Sequence, residues 1–260
     1  MLILYFSGTG NTKYLANLFS HRMNIKCFSI ESDINFKDEI KAHKTITFCY
    51  PIYCSRVPLI MREFVHKYKK ELVGKKIIIL VTQMFFSGDG ARVFTDMFKS
   101  SEIDVIYAEH FNMPLNMGNT FFLDPWKPTK KSIYKATKNV KRKLNYVCKN
   151  IRKGVKVKRG FSLGSILLGF IQGKVWQKDT KSISASRLEL KMKKGVKIHK
   201  ECTQCNLCVK ICPMKNLKSE NGKVYGLDNC TACFRCVNKC PQKAITVFVH
   251  RKPKWQYKGV

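Results

Sequence analysis

Short apolar runs separated by stretches of helical spacing set the rhythm of the first half of the chain. Leu2 to Phe6, Lys26 to Ile30, Thr45 to Tyr50, Lys76 to Thr82 and Ile103 to Glu109 are rich in Ile, Leu, Val, Phe and Tyr and read as strands. Between them, stretches such as Lys13 to Phe19 carry a helical pattern. This alternation predicts an α/β domain, a doubly wound sheet of five parallel strands covered by helices. After Pro128 the apolar residues Ile133, Val140, Leu144, Val147 and Ile151 recur at helical spacing, with Lys130, Lys131, Lys135, Lys138, Lys141, Arg142 and Lys143 between them. That pattern predicts a closing helix with a solvated lysine face.

Beyond residue 153 the pattern weakens. Gly154, Gly160, Gly164, Gly169 and Gly173 interrupt an apolar stretch, Phe161 to Trp176, with Lys and Arg on both flanks, and Ser182 to Lys200 is basic with little helical signal. The expected division is a first domain over 1–153, a basic linker or insertion over 154–199 and a second domain over 200–260. Phe161 to Trp176 reads first as a hydrophobic arm packed across the seam between the domains. Its other reading is an interfacial element that touches a membrane from the periphery. The uncharged run Phe161 to Gly173 is too short to cross a bilayer.

Charge sharpens this division. The 260 residues hold 49 Lys plus Arg against 17 Asp plus Glu, a formal net charge of +32. Residues 1–110 carry 15 basic and 11 acidic side chains, residues 111–200 carry 23 and 3, and residues 201–260 carry 11 and 3. Such a field would steer an acidic protein partner towards the chain. Nucleic acid is not an expected partner, because no recognisable nucleic-acid module is present. The chain opens directly on a strand pattern with no signal-peptide features, and its 12 cysteines do not form a disulfide framework, so the expected location is cytoplasmic.

Eight of those cysteines fall in two copies of one string. Cys202, Cys205, Cys208 and Cys212, followed by Pro213, spell C-x-x-C-x-x-C-x-x-x-C-P, and Cys230, Cys233, Cys236 and Cys240, followed by Pro241, spell it again. Aligning Cys202 to Leu217 with Cys230 to Ile245 matches eight of sixteen positions. Three closely spaced thiolates serve three irons of a cubane, and the fourth is carried towards the neighbouring one. The expected ligand sets for two [4Fe-4S] clusters are therefore Cys202, Cys205, Cys208 and Cys240, and Cys230, Cys233, Cys236 and Cys212. Paired zinc ribbons are a poor account, since zinc prefers two separated pairs of ligands. The string is similar to that of bacterial-type two-cluster ferredoxins, over roughly Lys200 to Val249. Cys27, Cys49, Cys54 and Cys148 lack ligand spacing.

A second motif sits at the first strand. Leu2 to Phe6 runs into Ser7, Gly8, Thr9, Gly10, Asn11 and Thr12 and then a helical stretch, which offers backbone amides and hydroxyls to a phosphate. A Walker A string is absent, and Lys13 stands where the third glycine of a dinucleotide fingerprint belongs. The loop resembles the FMN-phosphate loop of flavodoxins. That resemblance implies two further flavin loops, after the third and fourth strands. Here they hold Pro51, Ile52 and Tyr53, and then Thr82, Gln83, Phe85, Phe86, Gly88 and Asp89. Tyr53 would stack on the ring, Phe85 or Phe86 would cover it, and Gly88 would let the backbone approach its edge.

Taken together, F-S-G-T-G-N-T at Phe6 to Thr12, P-I-Y at Pro51 to Tyr53 and the C-terminal cysteine strings are similar to a family of flavodoxin-ferredoxin fusion proteins. The resemblance implies a flavodoxin-like domain, a small α+β ferredoxin domain, and electron transfer through FMN and two [4Fe-4S] clusters. An FMN-dependent reductase of a small-molecule acceptor is the second expectation, and a flavin-free docking module the third. No catalytic acid-base constellation stands out among the six histidines.

Overall fold

The computed structural model describes residues 1–53, 56–176 and 191–260. The first domain is built on β1 (Leu2–Tyr5), β2 (Cys27–Ser29), β3 (Thr45–Pro51), β4 (Lys76–Gln83) and β5 (Asp104–Asn112). These five expected strands run parallel in the order β2-β1-β3-β4-β5. A sixth, β6 (Val157–Lys158), extends the sheet beside β5. Two residues are too few to leave a periodic signal, so β6 was not legible in the pattern. Alternate residues of each strand feed different cores: Leu2, Leu4, Ile77, Ile79 and Val81 point to one face, Ile3, Tyr5, Ile78 and Leu80 to the other. Burial on both faces is why these strands read as nearly continuous apolar runs.

One face is covered by α1 (Asn11–Met23) and α5 (Lys130–Arg152), through Leu15, Ala16 and Phe19 and through Val140, Leu144 and Val147. The other is covered by α2 (Phe36–Lys41) and α3 (Leu59–Lys67), through Phe36, Ile40, Met61, Phe64 and Val65. α5 opens on a reciprocal cap in which the Ser132 amide donates to Thr129 Oγ1 at 3.1 Å and the Thr129 amide donates to Ser132 Oγ at 2.8 Å. It is the closing helix the spacing predicts, with lysines on its exposed side.

The segment 154–199 is not one linker. β6 joins the first sheet, while β7 (Val196–Ile198) pairs antiparallel with β10 (Ile245–Val247) and Met192 enters the second domain's core. Between them lies α6 (Leu163–Trp176). It is not a buried arm across the seam. Gly169 packs against Asp89 of the first domain, and Leu163, Leu167, Leu168, Phe170 and Ile171 are exposed. No helix among the described residues is long and apolar enough to cross a membrane.

The second domain adds the hairpin β8 (Leu217–Glu220) and β9 (Lys223–Gly226) and two short helices, Leu207–Lys210 and Arg235–Lys239. Its sequence repeat is also a backbone repeat. Gln204, Asn206 and Lys215 adopt positive φ of 57°, 57° and 49°, and their counterparts Ala232, Phe234 and Lys243 adopt 53°, 58° and 52°. Non-glycine residues enter this region at a cost, and they do so here at the same steps after the first cysteine of each string. The strings thus impose one turn geometry twice.

His110, on β5, is buried, and its Nε2 accepts the Ala91 amide at 3.2 Å. Burial, with the Arg159 and Lys143 cations adding to it, lowers its pKa from 6.5 to about 4. Between those values the unfolded chain binds the proton and the folded chain does not. Stability is therefore full above pH 6.5 and declines as the pH falls towards 4, by about 3 kcal/mol from this residue. Urea unfolding at neutral pH and near pH 5 should show this decline, and His110→Gln should flatten it.

Candidate functional site

The eight cysteines of the two strings stand around two hollows. One is walled by Cys202, Cys205, Cys208 and Cys240, the other by Cys212, Cys230, Cys233 and Cys236. Each string thus contributes its first three cysteines to one hollow and its fourth to the other. Cys212 Sγ accepts the Asn216 amide and Cys240 Sγ accepts the Ala244 amide, both at 3.3 Å and both from the fourth residue onward. Among the described residues, no three His, Cys, Asp or Glu close on a single ion. The thiols face a space between them instead, and four-thiol sets with amide donors aimed at sulfur suit an iron-sulfur cubane. Burial pushes the Cys230 thiol up to about 12 and Cys233 to about 11, so metal must displace their protons. Cys27, Cys49 and Cys148 lie apart in the first domain, and Cys54 is outside the described residues.

A third cavity, of about 390 Å³, opens beyond the carboxyl ends of β1, β3 and β4. In the strand order β2-β1-β3 the chain reverses direction across the sheet between β1 and β3, and parallel sheets place ligands at such a point. Of the residues expected there, Ser7, Gly8, Thr9, Asn11, Thr12, Pro51, Ile52, Tyr53, Thr82, Gln83, Phe85 and Phe86 line the cavity. Gly10 instead makes the left-handed turn, φ 109°, that starts α1 without a side-chain cap. The Gly10 amide donates to Ser7 Oγ at 3.2 Å, and the amides of the first turn of α1, which have no side-chain cap, together with the Thr9 and Thr12 hydroxyls, form a cradle that fits a phosphate.

Gly88 and Asp89 stand outside this cavity. Asp89 is buried and holds Arg92 at 2.6 Å, so its carboxylate serves the first domain's interior and not the cavity. Phe85 and Phe86 are 52% and 54% exposed at the cavity mouth, and Phe85 meets Trp126 edge-on at 5.3 Å. The Thr12 and Thr82 hydroxyls are hydrogen-bonded at 2.7 Å, which ties the first loop to the end of β4.

The far wall of the cavity comes from elsewhere in the chain: Leu115, Asn116 and Met117 after β5, and Met192, Ala232, Phe234 and Phe248 from the second domain. Asn116 Nδ2 donates to Thr9 Oγ1 at 3.0 Å, while the Asn116 carbonyl accepts Asn238 Nδ2 at 2.8 Å. At Gly8 a Cβ would stand 2.5 Å from the Cys233 carbonyl and from the Tyr53 hydroxyl. Only glycine allows that approach. Arg235 fastens the same point: Nε donates to Gly8 O at 3.1 Å, one terminal nitrogen to Ser7 O at 2.8 Å, and both terminal nitrogens to Glu31 at 2.7 Å. The remaining N–H donates to Ile211 O at 3.0 Å, so all five donors are used.

None of these wall residues was expected from sequence. One signal was visible: Arg235 lies between two ligand cysteines where the first string has Leu207.

Comparison with known families now separates the two halves. Residues 2–113 match the family model described as a flavodoxin domain, and residues 194–241 match the 4Fe-4S dicluster domain. The chain joins a flavodoxin domain to a 4Fe-4S dicluster domain. Domains of these two kinds make it an electron-transfer flavo-iron-sulfur protein, with FMN and [4Fe-4S] as the cofactors that accompany them.

Among solved structures, the two-electron reduced flavodoxin of Megasphaera elsdenii is 19% identical, with 55% of this chain and 99% of that one covered at a TM-score of 0.39. The general stress protein 14 of Treponema denticola, solved in complex with FMN, is 12% identical, with 57% and 96% covered at 0.43. A flavodoxin from the domain Archaea is 16% identical, with 57% and 97% covered at 0.36. At these scores the family models, and not the structural likenesses, carry the assignment. No curated protein matches the chain.

If the flavodoxin domain's first loop holds the phosphate, apoprotein should bind FMN about a hundredfold more tightly than riboflavin, the worth of one or two charge-assisted hydrogen bonds. Thr9→Asp, which sets a carboxylate at the cradle, should abolish that preference while leaving far-UV circular dichroism unchanged. Fluorescence titration with both flavins checks it, and equal affinities in the wild type would mean the loop is only a turn.

Proposed function

We propose that the chain carries electrons between two [4Fe-4S] clusters and one FMN, and exchanges them with an acidic redox protein in the cytoplasm. The observation that supports this reading is the shared wall: Ala232 and Phe234, which flank Cys233, also line the flavodoxin domain's cavity. The hollow of Cys212, Cys230, Cys233 and Cys236 is therefore the inner one, next to the flavin loops. The hollow of Cys202, Cys205, Cys208 and Cys240 has no lining residue from the first domain. It is the outer one, and the order of the path is outer cluster, inner cluster, flavin.

When bound, FMN takes one or two electrons and each cluster takes one, so the set converts between single and paired electrons. The protein's own residues fix the distances in that set. Gly8 allows the flavin loop to rest on the Cys233 backbone, and Arg235 and Glu31 hold the loop there. Asn116 ties the third wall to both domains through Thr9 and Asn238. The thiol environment of a reducing compartment would keep the cluster ligands available, in keeping with a cytoplasmic location. The net charge of +32 supports an acidic partner.

A second reading has one observation behind it. The cavity opens between Phe85 and Phe86, both more than half exposed, so a small acceptor has a way to the flavin face. Turnover of added acceptors by the isolated protein would favour this reductase reading over a pure carrier.

Anaerobically prepared protein should contain about eight iron and eight sulfide per chain. Cys240→Ser should damage the outer cluster, whose other ligands lie some thirty residues earlier, and spare the inner one nearer in sequence. Electron paramagnetic resonance of the reduced protein, which resolves two interacting centres from one, reads that difference. Zinc without sulfide, or loss of the inner centre first, would overturn the assignment.

A further inference from the structure

We infer that α6 docks the protein on an anionic lipid bilayer. The helix is mounted inside out. Among the side chains described, over 163–171, the buried position is Gly169, where an added Cβ would stand 2.1 Å from Asp89 Oδ1, and Ser165, one turn earlier, is half-buried. The large side chains face away: Leu163 is 86% exposed, Leu167 60% and Phe170 58%, with Ile171, Leu168 and Ile166 between 38% and 50%. A surface helix ordinarily turns its apolar side to the core, and contiguous exposed apolar surface on this scale marks a contact with something outside the chain. The helix is well started, since Ser162 Oγ accepts the Ser165 amide at 3.3 Å.

Charge decides among occupants. From residue 125 to residue 178 the sequence holds sixteen Lys and Arg and no Asp or Glu. Arg152, Lys153, Lys156, Lys158 and Arg159, immediately before the helix, are all exposed. A second copy of the chain would bring two surfaces of net charge +32 together, which opposes self-association through this face. A protein groove usually engages Tyr, Trp or Arg anchors, and the described outward face has only Leu, Ile and Phe. Aliphatic and phenyl side chains beside a cluster of cations match the boundary between acyl chains and anionic headgroups. The helix has 14 residues, so it lies in that boundary and does not cross it.

The test is flotation of the holoprotein with vesicles of phosphatidylcholine alone and of phosphatidylcholine containing phosphatidylglycerol. Binding is expected on the anionic vesicles, at least about tenfold tighter than on neutral ones and weakened by salt. The double variant Leu163→Gln, Leu167→Gln should lose about tenfold in vesicle affinity with flavin and cluster absorbance unchanged, because both side chains are exposed. Absence of binding to anionic vesicles would overturn the proposal. So would binding that the double variant leaves intact, which would mean that charge alone is responsible. A lipid-free dimer in sedimentation that the double variant dissolves would assign the face to a second copy.

Discussion

One guanidinium joins the two halves of this molecule. Arg235 is inside a cluster-ligand string, yet four of its five donors reach Ser7 O, Gly8 O and Glu31 in the flavodoxin domain. Charge-assisted bonds of this kind are about twice as strong as neutral ones, and the planar fork fixes direction as well as distance. Lysine could not replace it. The fifth donor, to Ile211 O, ties the same side chain to the residue before Cys212, so one group registers both cysteine strings around the hollow of Cys212, Cys230, Cys233 and Cys236 and the loop after β1. The other contacts at the junction depend on that registration: Gly8 against Cys233, Asn116 between Thr9 and Asn238, and Tyr257 OH donating to Asn11 Oδ1 at 2.6 Å.

The end of the described chain extends the same join. The Lys254 amide donates to Gly118 O at 3.0 Å, Gln256 Nε2 donates to the Val237 and Cys240 carbonyls, and the Tyr257 amide donates to Asn238 Oδ1 at 2.6 Å. Asp124 holds Lys254 at 3.1 Å and Arg251 at 3.3 Å. This segment lies over the boundary and touches residues of both domains. The two domains' cores, with Leu4, Phe48 and Ile79 in one and Val237, Ile245 and Val247 in the other, are thus joined by polar contacts and by apolar ones, since Cys233 packs into the first core and Leu115 clusters with Trp255 and Tyr257.

What could be read from the sequence follows from how local each feature is. The strands of the first sheet are buried on both faces and announce themselves as apolar runs. The cysteine strings carry their own exchange of the fourth cysteine between the two hollows, because two steps of three residues, one of four and a proline leave little freedom, and the repeated positive φ at Gln204 and Ala232 shows the same turn made twice. The cradle at Ser7 to Thr12 was legible for a similar reason. What escaped was long-range. Asn116, Phe234 and Arg235 act across more than a hundred residues of sequence, and nothing local distinguishes their roles. Gly88 and Asp89 lie elsewhere because the loop that lines the cavity from Thr82 to Ser87 turns into the first domain's interior after Ser87, where Asp89 is buried. α6 was read as a buried arm because apolar composition reports the wish for burial and not the partner that supplies it. Gly8 had two duties, and sequence suggested only the one in the phosphate loop.

The central claim is that the inner cluster and the flavin form one path within a single chain. Stopped-flow mixing of the anaerobic holoprotein with less than one equivalent of a one-electron reductant, followed at wavelengths that separate cluster from flavin bleaching, tests it directly. The account predicts that the flavin phase has a rate independent of protein concentration, and that Arg235→Met slows it without changing cofactor content. A flavin phase whose rate rises in proportion to protein concentration would show that electrons travel between molecules, and would contradict it.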